Sequence, residues 1–267
     1  MKRNLLLIGF QLLAFWPVIS WYFARVLESS DQMWGFLALI TALGFLLVNT
    51  NPTADLEYKP VPTVSIVLLL LYIFTYPVLP PLARATIAVI TLGVTASTHR
   101  RKSIDSGIVG LLILSLPIIP SLQFFLGYPL RLLVATVAAP VLRLGGFAVV
   151  QEGTCLNWAG QLIWIDAPCS GIRMLWVGLY LALTLICLFQ IRRVKALLCL
   201  TSAFLVIVAG NIFRAVALFY IEAKVLDTPP WVHDYTGVVA FLITALGILA
   251  LTHLLRKEKL CAAQVVS

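Results

Sequence analysis

Long apolar stretches free of charge, separated by short clusters of lysine and arginine, dominate this sequence and restrict what it can fold into. A helix needs about 20 mostly apolar residues to cross the hydrocarbon core of a bilayer. Eight stretches approach that length, with cores at 4–23, 33–49, 62–79, 82–98, 106–125, 172–190, 196–220 and 237–255. A backbone in hydrocarbon must satisfy its own hydrogen bonds, so continuous runs of this kind predict helices. Composition agrees: 61% of the 267 residues are hydrophobic and 11% charged, against about 45–50% and about 25% in soluble domains. Soluble and disordered chains are thereby excluded. The predicted fold is all-α, a polytopic membrane helix bundle of eight spans in one integral membrane domain, residues 1–267. The run after Lys2 and Arg3 resembles a signal peptide, but Trp16, Trp21 and Tyr22 stand where a small-residue cleavage site belongs. It reads as a retained first helix.

Cytoplasmic loops are enriched in Lys and Arg, which orients the bundle. With the N-terminus inside, one face receives Lys2, Arg3, Lys59, Arg100, Arg101, Lys102, Arg192, Arg193, Lys195, Arg256, Lys257 and Lys259. The other holds only the scattered Arg25, Arg84, Arg131, Arg143, Arg173, Arg214 and Lys224, so both termini are expected in the cytoplasm. The net charge of +8 follows from this asymmetry and implies no nucleic-acid partner. The stretch 130–150 is apolar but interrupted by Arg131, Pro140, Arg143 and Gly145–Gly146. A full crossing there would put the Arg192–Lys195 cluster outside. It is therefore read as an interfacial or re-entrant segment on the outer face. The seven tryptophans all fall towards that face, as an interfacial belt would.

Three polar stretches share this outer depth. Asp166-Ala167-Pro168-Cys169-Ser170-Gly171-Ile172-Arg173 opens the sixth span. Ser170 is its candidate N-cap, which sets Cys169 near the positive end of the helix dipole, with Arg173 one turn on. Gly210-Asn211-Ile212-Phe213-Arg214 lies in the seventh span, with Arg214 about 28 Å beyond Lys195 along the helix. Trp231-Val232-His233-Asp234-Tyr235-Thr236-Gly237 enters the eighth, where His233 is a candidate proton carrier and Asp234 a candidate to hold its ring. Each has a plainer reading alone: an inert packing cysteine, a snorkelling arginine, a solvated loop histidine. Together they supply a thiolate, a cation for an oxyanion and a proton carrier, the parts required for acyl transfer through a thioester.

These stretches resemble the signature blocks of the exosortase/archaeosortase family: PCSGIRM at Pro168–Met174, GNIFR at Gly210–Arg214 and HDYTG at His233–Gly237, in the family's order. A fourth stretch, SLQFFLGYPLR from Ser121 to Arg131, resembles the segment that precedes them in bacterial members, and the likeness covers residues 105–255. The resemblance implies an eight-span protein-sorting transpeptidase of the bacterial cytoplasmic (inner) membrane, with an extracytoplasmic triad of Cys169, Arg214 and His233. Its implied partners are secreted, membrane-anchored proteins whose C-terminal tails carry a Pro-Glu-Pro-like motif, an apolar helix and a basic end, together with an acceptor nucleophile and membrane lipids. No cofactor or metal is implied.

In the expected mechanism Cys169 attacks the scissile carbonyl, Arg214 stabilises the oxyanion and His233 relays the proton. Backbone N–H groups at Ser170 and Gly171 complete the oxyanion site, and Asn211 orients Arg214 or a substrate carbonyl. Arg131 and Arg143 are expected to attract an acidic motif. A disulfide between Cys169 and Cys155, in the same loop, would silence the thiol. Two other classes remain open at this point: a multi-pass transporter with Arg214 as its anion site, and a non-catalytic membrane assembly protein.

Overall fold

The computed structural model describes residues 2–28, 33–48, 62–101, 104–191, 193–225, 228–229 and 231–264. The loop with Asp55, Glu57 and Lys59 lies outside them, as do Lys102 and Arg192 and the side chains of Lys2, Arg3, Arg100, Arg101, Arg193, Asp234, Lys257 and Lys259. Ten helices account for most of the rest: α1 (Lys2–Ala14), α2 (Trp16–Val26), α3 (Trp34–Leu47), α4 (Pro62–Thr75), α5 (Pro81–Arg101), α6 (Ser106–Leu114), α7 (Ile119–Leu144), α8 (Ile172–Leu188), α9 (Arg193–Glu222) and α10 (Trp231–Gln264). Among the described residues, three helices are long and apolar enough to cross a membrane alone: α7, α9 from Val194, and α10 as far as Arg256. A fourth crossing exists if the bent pair α1 and α2 is one span.

Two of the expected spans are broken. The first bends by 59° at Phe15, between α1 and α2. Pro17, in the first turn of α2, has no N–H to continue the α1 ladder, and its ring would crowd the Leu13 carbonyl. The expected span 106–125 ends after nine residues at Leu114, and a new helix starts at Ile119. Pro117 cannot extend α6, while Pro120 suits the first turn of α7.

The segment 130–150 is not a re-entrant loop. Residues through Leu144 belong to α7, a continuous 26-residue helix with Pro129 and Pro140 inside it. The chain then forms a three-stranded antiparallel meander, which the apolar pattern did not announce: β1 (Val150–Glu152), β2 (Cys155–Trp158) and β3 (Gln161–Trp164). Glu152 pairs with Cys155 and Trp158 with Gln161, so each connection has two residues. Gly153 takes φ +60° at the first, and Ala159 and Gly160 take φ +51° and +82° at the second. Positive φ at both central positions is the type I′ geometry that matches strand twist.

The chain packs as two compact units, one of Met1–Ile118 with Leu183–Ala196 and the other of Ile119–Ala182 with Leu197–Ser267. In the first, Phe15, Val18, Tyr22, Tyr72, Ala85, Ala88 and Leu116 form an apolar core. A buried polar chain crosses this unit: Gln11 Nε2 donates to Thr95 Oγ1 at 3.0 Å, and Thr95 Oγ1 to Ser65 Oγ at 2.9 Å. Asp105 caps α6, its Oδ1 accepting from Gly107 and Ile108 N–H at 2.9 and 3.1 Å.

In the second unit, α7 and α9 run in the same direction. Leu130 and Val134 share a groove with Phe204, Ile207 and Asn211, whereas Leu142 shares a core with Phe219 and Ala223. The meander closes that far end through Val149, Leu156, Ile163 and Ile165. α10 runs antiparallel to α9 at glycine contacts, Gly210 lying against Thr244 and Gly247 against Val206.

Ala159 is the one non-glycine residue in the type I′ turn, in a region where an L side chain costs about 1–2 kcal/mol. Ala159→Gly is expected to stabilise the protein by roughly 0.5–1 kcal/mol, seen as a higher unfolding temperature in detergent. Gly153→Ala is expected to lower it.

Candidate active site

The site is built in the second unit where a short 3-10 turn, Ala167–Ser170, leads into α8. Asp166 precedes the turn in extended conformation, and its carbonyl accepts from Cys169 N–H at 2.9 Å. Gly171 then turns left-handed, φ +82° and ψ +3°, and its carbonyl accepts the first α8 bond from Leu175 N–H at 2.7 Å. The helix cap thus falls one residue later than expected, on Gly171. Ser170 Oγ stands a long 3.5 Å from Ile172 N–H and donates instead to Gln123 Oε1 on α7 at 3.1 Å.

Glycine is required at 171 for two reasons. The backbone is left-handed, and a Cβ there would come within 2.7 Å of the Asn211 amide carbon and nitrogen. That close approach lets Asn211 Nδ2 donate to the Cys169 carbonyl at 3.2 Å. Ser170 is 2% exposed and Asn211 4%, while Cys169 between them is half-buried. Cys169 and Cys155 are both free thiols, so the disulfide considered from the sequence is not formed.

Arg214 follows Asn211 by one turn of α9. Its guanidinium lies over Gly237 of α10, where a Cβ would be 3.4 Å from Nε. His233 is one turn before Gly237, a rise of about 6 Å. Its Nε2 is 3.6 Å from Glu222 Oε1 at the end of α9, with the two side chains 40% and 55% exposed. The order through the site is therefore Cys169, Asn211, Arg214, Gly237 and His233. Cys169 meets Asn211 directly, and His233 stands a turn beyond the arginine contact.

Two buried polar atoms in this row, Asn211 Oδ1 and Arg214 Nε, have no hydrogen-bond partner among the described residues. An unpaired buried group costs about 1–3 kcal/mol, and native structures keep few of them. Their neighbouring positions on α9 suit a bound polar group.

The remaining candidates divide. Arg131 belongs to the Gln123–Gly127–Arg131 row of α7, its Nε donating to the Gly127 carbonyl at 3.3 Å, two turns from the residue that holds Ser170. Arg143 is three further turns along, exposed, and folded onto the Ala139 carbonyl at 3.4 Å. Arg173 is exposed, while its neighbours Ile172 and Met174 are buried. The Asp234 side chain lies outside the described residues. Sequence reasoning did not single out Gln123 or Glu222. The first was legible as the lone amide in the SLQFFLGYPLR stretch, the second as the acid just past the expected seventh span.

A family model described as transmembrane exosortase matches residues 21–250, most of the chain. The chain belongs to the transmembrane exosortase family. No curated protein and no solved structure matches it. Exosortases are, as a family, membrane-embedded protein-sorting transpeptidases, and this exosortase is accordingly a membrane protein of apolar helices. The matched span contains the Cys169 turn, α9 and the start of α10.

Gly171→Ala is expected to destabilise the exosortase by roughly 1–3 kcal/mol, from left-handed strain and the collision with Asn211. Unfolding temperature in detergent measures it. The alkylation rate of Cys169 is expected to change in the same variant, because the bond from Asn211 to the Cys169 carbonyl is lost.

Proposed function

We propose that this exosortase cleaves the C-terminal sorting signals of secreted proteins at the outer face of the bacterial inner membrane through a thioacyl intermediate on Cys169. The observation that carries the reading is Arg214 Nε, buried without a partner among the described residues, one turn from the residue that grips the Cys169 carbonyl. A buried, permanently charged donor without a partner is suited to an oxygen that becomes negative during reaction.

In this mechanism the Cys169 sulfur bonds to the scissile carbonyl carbon, and Arg214 takes the developing oxyanion, joined by backbone N–H groups about Ser170 and Gly171. The C–N bond breaks as His233 protonates the departing amine. His233 then removes a proton from the acceptor nucleophile, which attacks the thioester and releases Cys169 as a thiolate. Glu222 Oε1, 3.6 Å from the imidazole Nε2, holds the ring at the end of α9. Arg131, on the α7 face that holds Ser170, is the better placed of the two arginines for an acidic sorting motif; Arg143 is too far along the helix.

The same proposal includes an eight-span topology. The three long helices and the bent α1–α2 pair supply four crossings, and the shorter apolar helices α3, α4, α5 and α8 supply four more. With both termini cytoplasmic, the Cys169 turn, the end of α9 and the start of α10 all face outward, within a catalytic core of residues 105–255.

The test is processing of a reporter whose C-terminus carries a Pro-Glu-Pro motif, an apolar helix of about 20 residues and a basic tail. Cys169→Ala is expected to abolish cleavage at normal membrane levels. Arg214→Ala and Arg214→Lys are each expected to slow it at least roughly 100-fold, since an ammonium does not reproduce the Nε–H. His233→Ala is expected to slow it by about 100- to 10,000-fold. Normal cleavage by Cys169→Ala refutes the reading.

A further inference from the structure

We infer that Asn211 is a substrate-binding residue: while Nδ2 holds the Cys169 turn, Oδ1 accepts a backbone N–H from the peptide segment that follows the scissile bond. The inference rests on the proposed sorting activity and adds to it the residue that fixes the peptide's register.

The amide is half used. Nδ2 donates to the Cys169 carbonyl at 3.2 Å, whereas Oδ1 is buried without a partner among the described residues, in a side chain only 4% exposed. Gly171 presses on the amide from one side, which fixes it in place. A shallow, narrow groove has Ser170, Gly171 and Asn211 at its polar end and Leu130, Val134, Leu175, Phe204, Ile207 and Val208 along its walls, which must part slightly to admit a chain. Along α9 this groove occupies the turns before Asn211, and Arg214 the turn after it. A peptide passing from a polar outer segment into an apolar anchor meets the same order: the guanidinium first, the amide next, then the aliphatic lining.

An extended peptide presents N–H groups that water no longer serves once the chain enters such a groove, so each needs an acceptor. Asn211 Oδ1, unpaired among the described residues, is an acceptor at the groove's head. The apolar lining takes the side chains of the anchor's first residues, and the hydrogen bond sets which peptide bond stands before the thiol. An aspartate would keep the acceptor and lose the grip on Cys169; a leucine of similar size would lose both.

The test is a double-mutant cycle with the same Pro-Glu-Pro reporter. Each of the first three residues after the cleavage site is replaced in turn by proline, which has no N–H. With the wild-type protein, one of these reporters is expected to be cut about 5- to 100-fold more slowly than the parent. With Asn211→Leu, cleavage of the parent is expected to fall by a similar factor, and the same proline to cause no further loss. Asn211→Asp, with its acceptor retained, is expected to keep the proline sensitivity, and it provides the reading should Asn211→Leu fail to accumulate in the membrane. Equal proline penalties with and without the Asn211 acceptor, in a protein whose cleavage still requires Cys169, overturn this inference and leave the sorting activity standing. A parent reporter left uncut by the wild-type protein, or cut normally by Cys169→Ala, overturns both.

Discussion

The backbone at Gly171 passes through the left-handed region with the Asn211 amide pressed against the place where a side chain would stand, and the position of the Cys169 turn follows from that contact. Without it, α9 would stand farther from the start of α8, and Nδ2 would not reach the Cys169 carbonyl. With it, a turn too short to hold itself is tied to a 30-residue helix by one hydrogen bond and to α7 by another, from Ser170 to Gln123. Under the proposed function, a nucleophile on so short a turn would gain its precision from the helices around it.

The same helices decide how strongly charge acts. Arg214 is partly covered by α10 at Gly237, and Asn211 is almost fully buried, so their dipoles and charge act with little screening by water. That setting makes unpaired donors and acceptors costly at rest and effective when a reacting group supplies the missing partner. Along α9 the turns before Asn211 are apolar, whereas the end near Glu222 and His233 is more open; in the proposed function the first would receive the substrate's anchor and the second its acceptor.

Much of this was legible in the sequence, for reasons that differ by element. Apolar runs registered the helices because bilayer length and backbone satisfaction leave few alternatives; α8 and α9 begin and end near the expected bounds, while α10 starts six residues before and ends nine residues after its expected core. The breaks at Phe15 and at 115–118 were missed because hydrophobicity is blind to a bend; Pro17 and Pro117 were the available signals. The meander hid because strands of three and four residues barely show alternation, although the Gly153-Thr154 and Ala159-Gly160 pairs marked its turns. In the candidate site, residue types and spacing singled out Cys169, Asn211, Arg214 and His233 as candidates, and the structure puts Cys169 against Asn211, with Arg214 one turn on and His233 a turn beyond its Gly237 contact. Their partners were not legible: Ser170 meets Gln123 across 47 positions, a pairing that only the packing of α7 brings about. His233 comes 3.6 Å from Glu222 because α9 and α10 are antiparallel, a proximity that sequence adjacency does not reveal.

The central claim is that the Cys169 sulfur carries the acyl group. Its most direct measurement is mass spectrometry of the protein quenched by denaturation during reporter turnover. The account predicts a thioester on the Cys169 peptide with the mass of the reporter's leading portion, released by neutral hydroxylamine. Reporter cleavage at a normal rate with Cys169 unmodified throughout, or with the adduct on Cys155 instead, would contradict it.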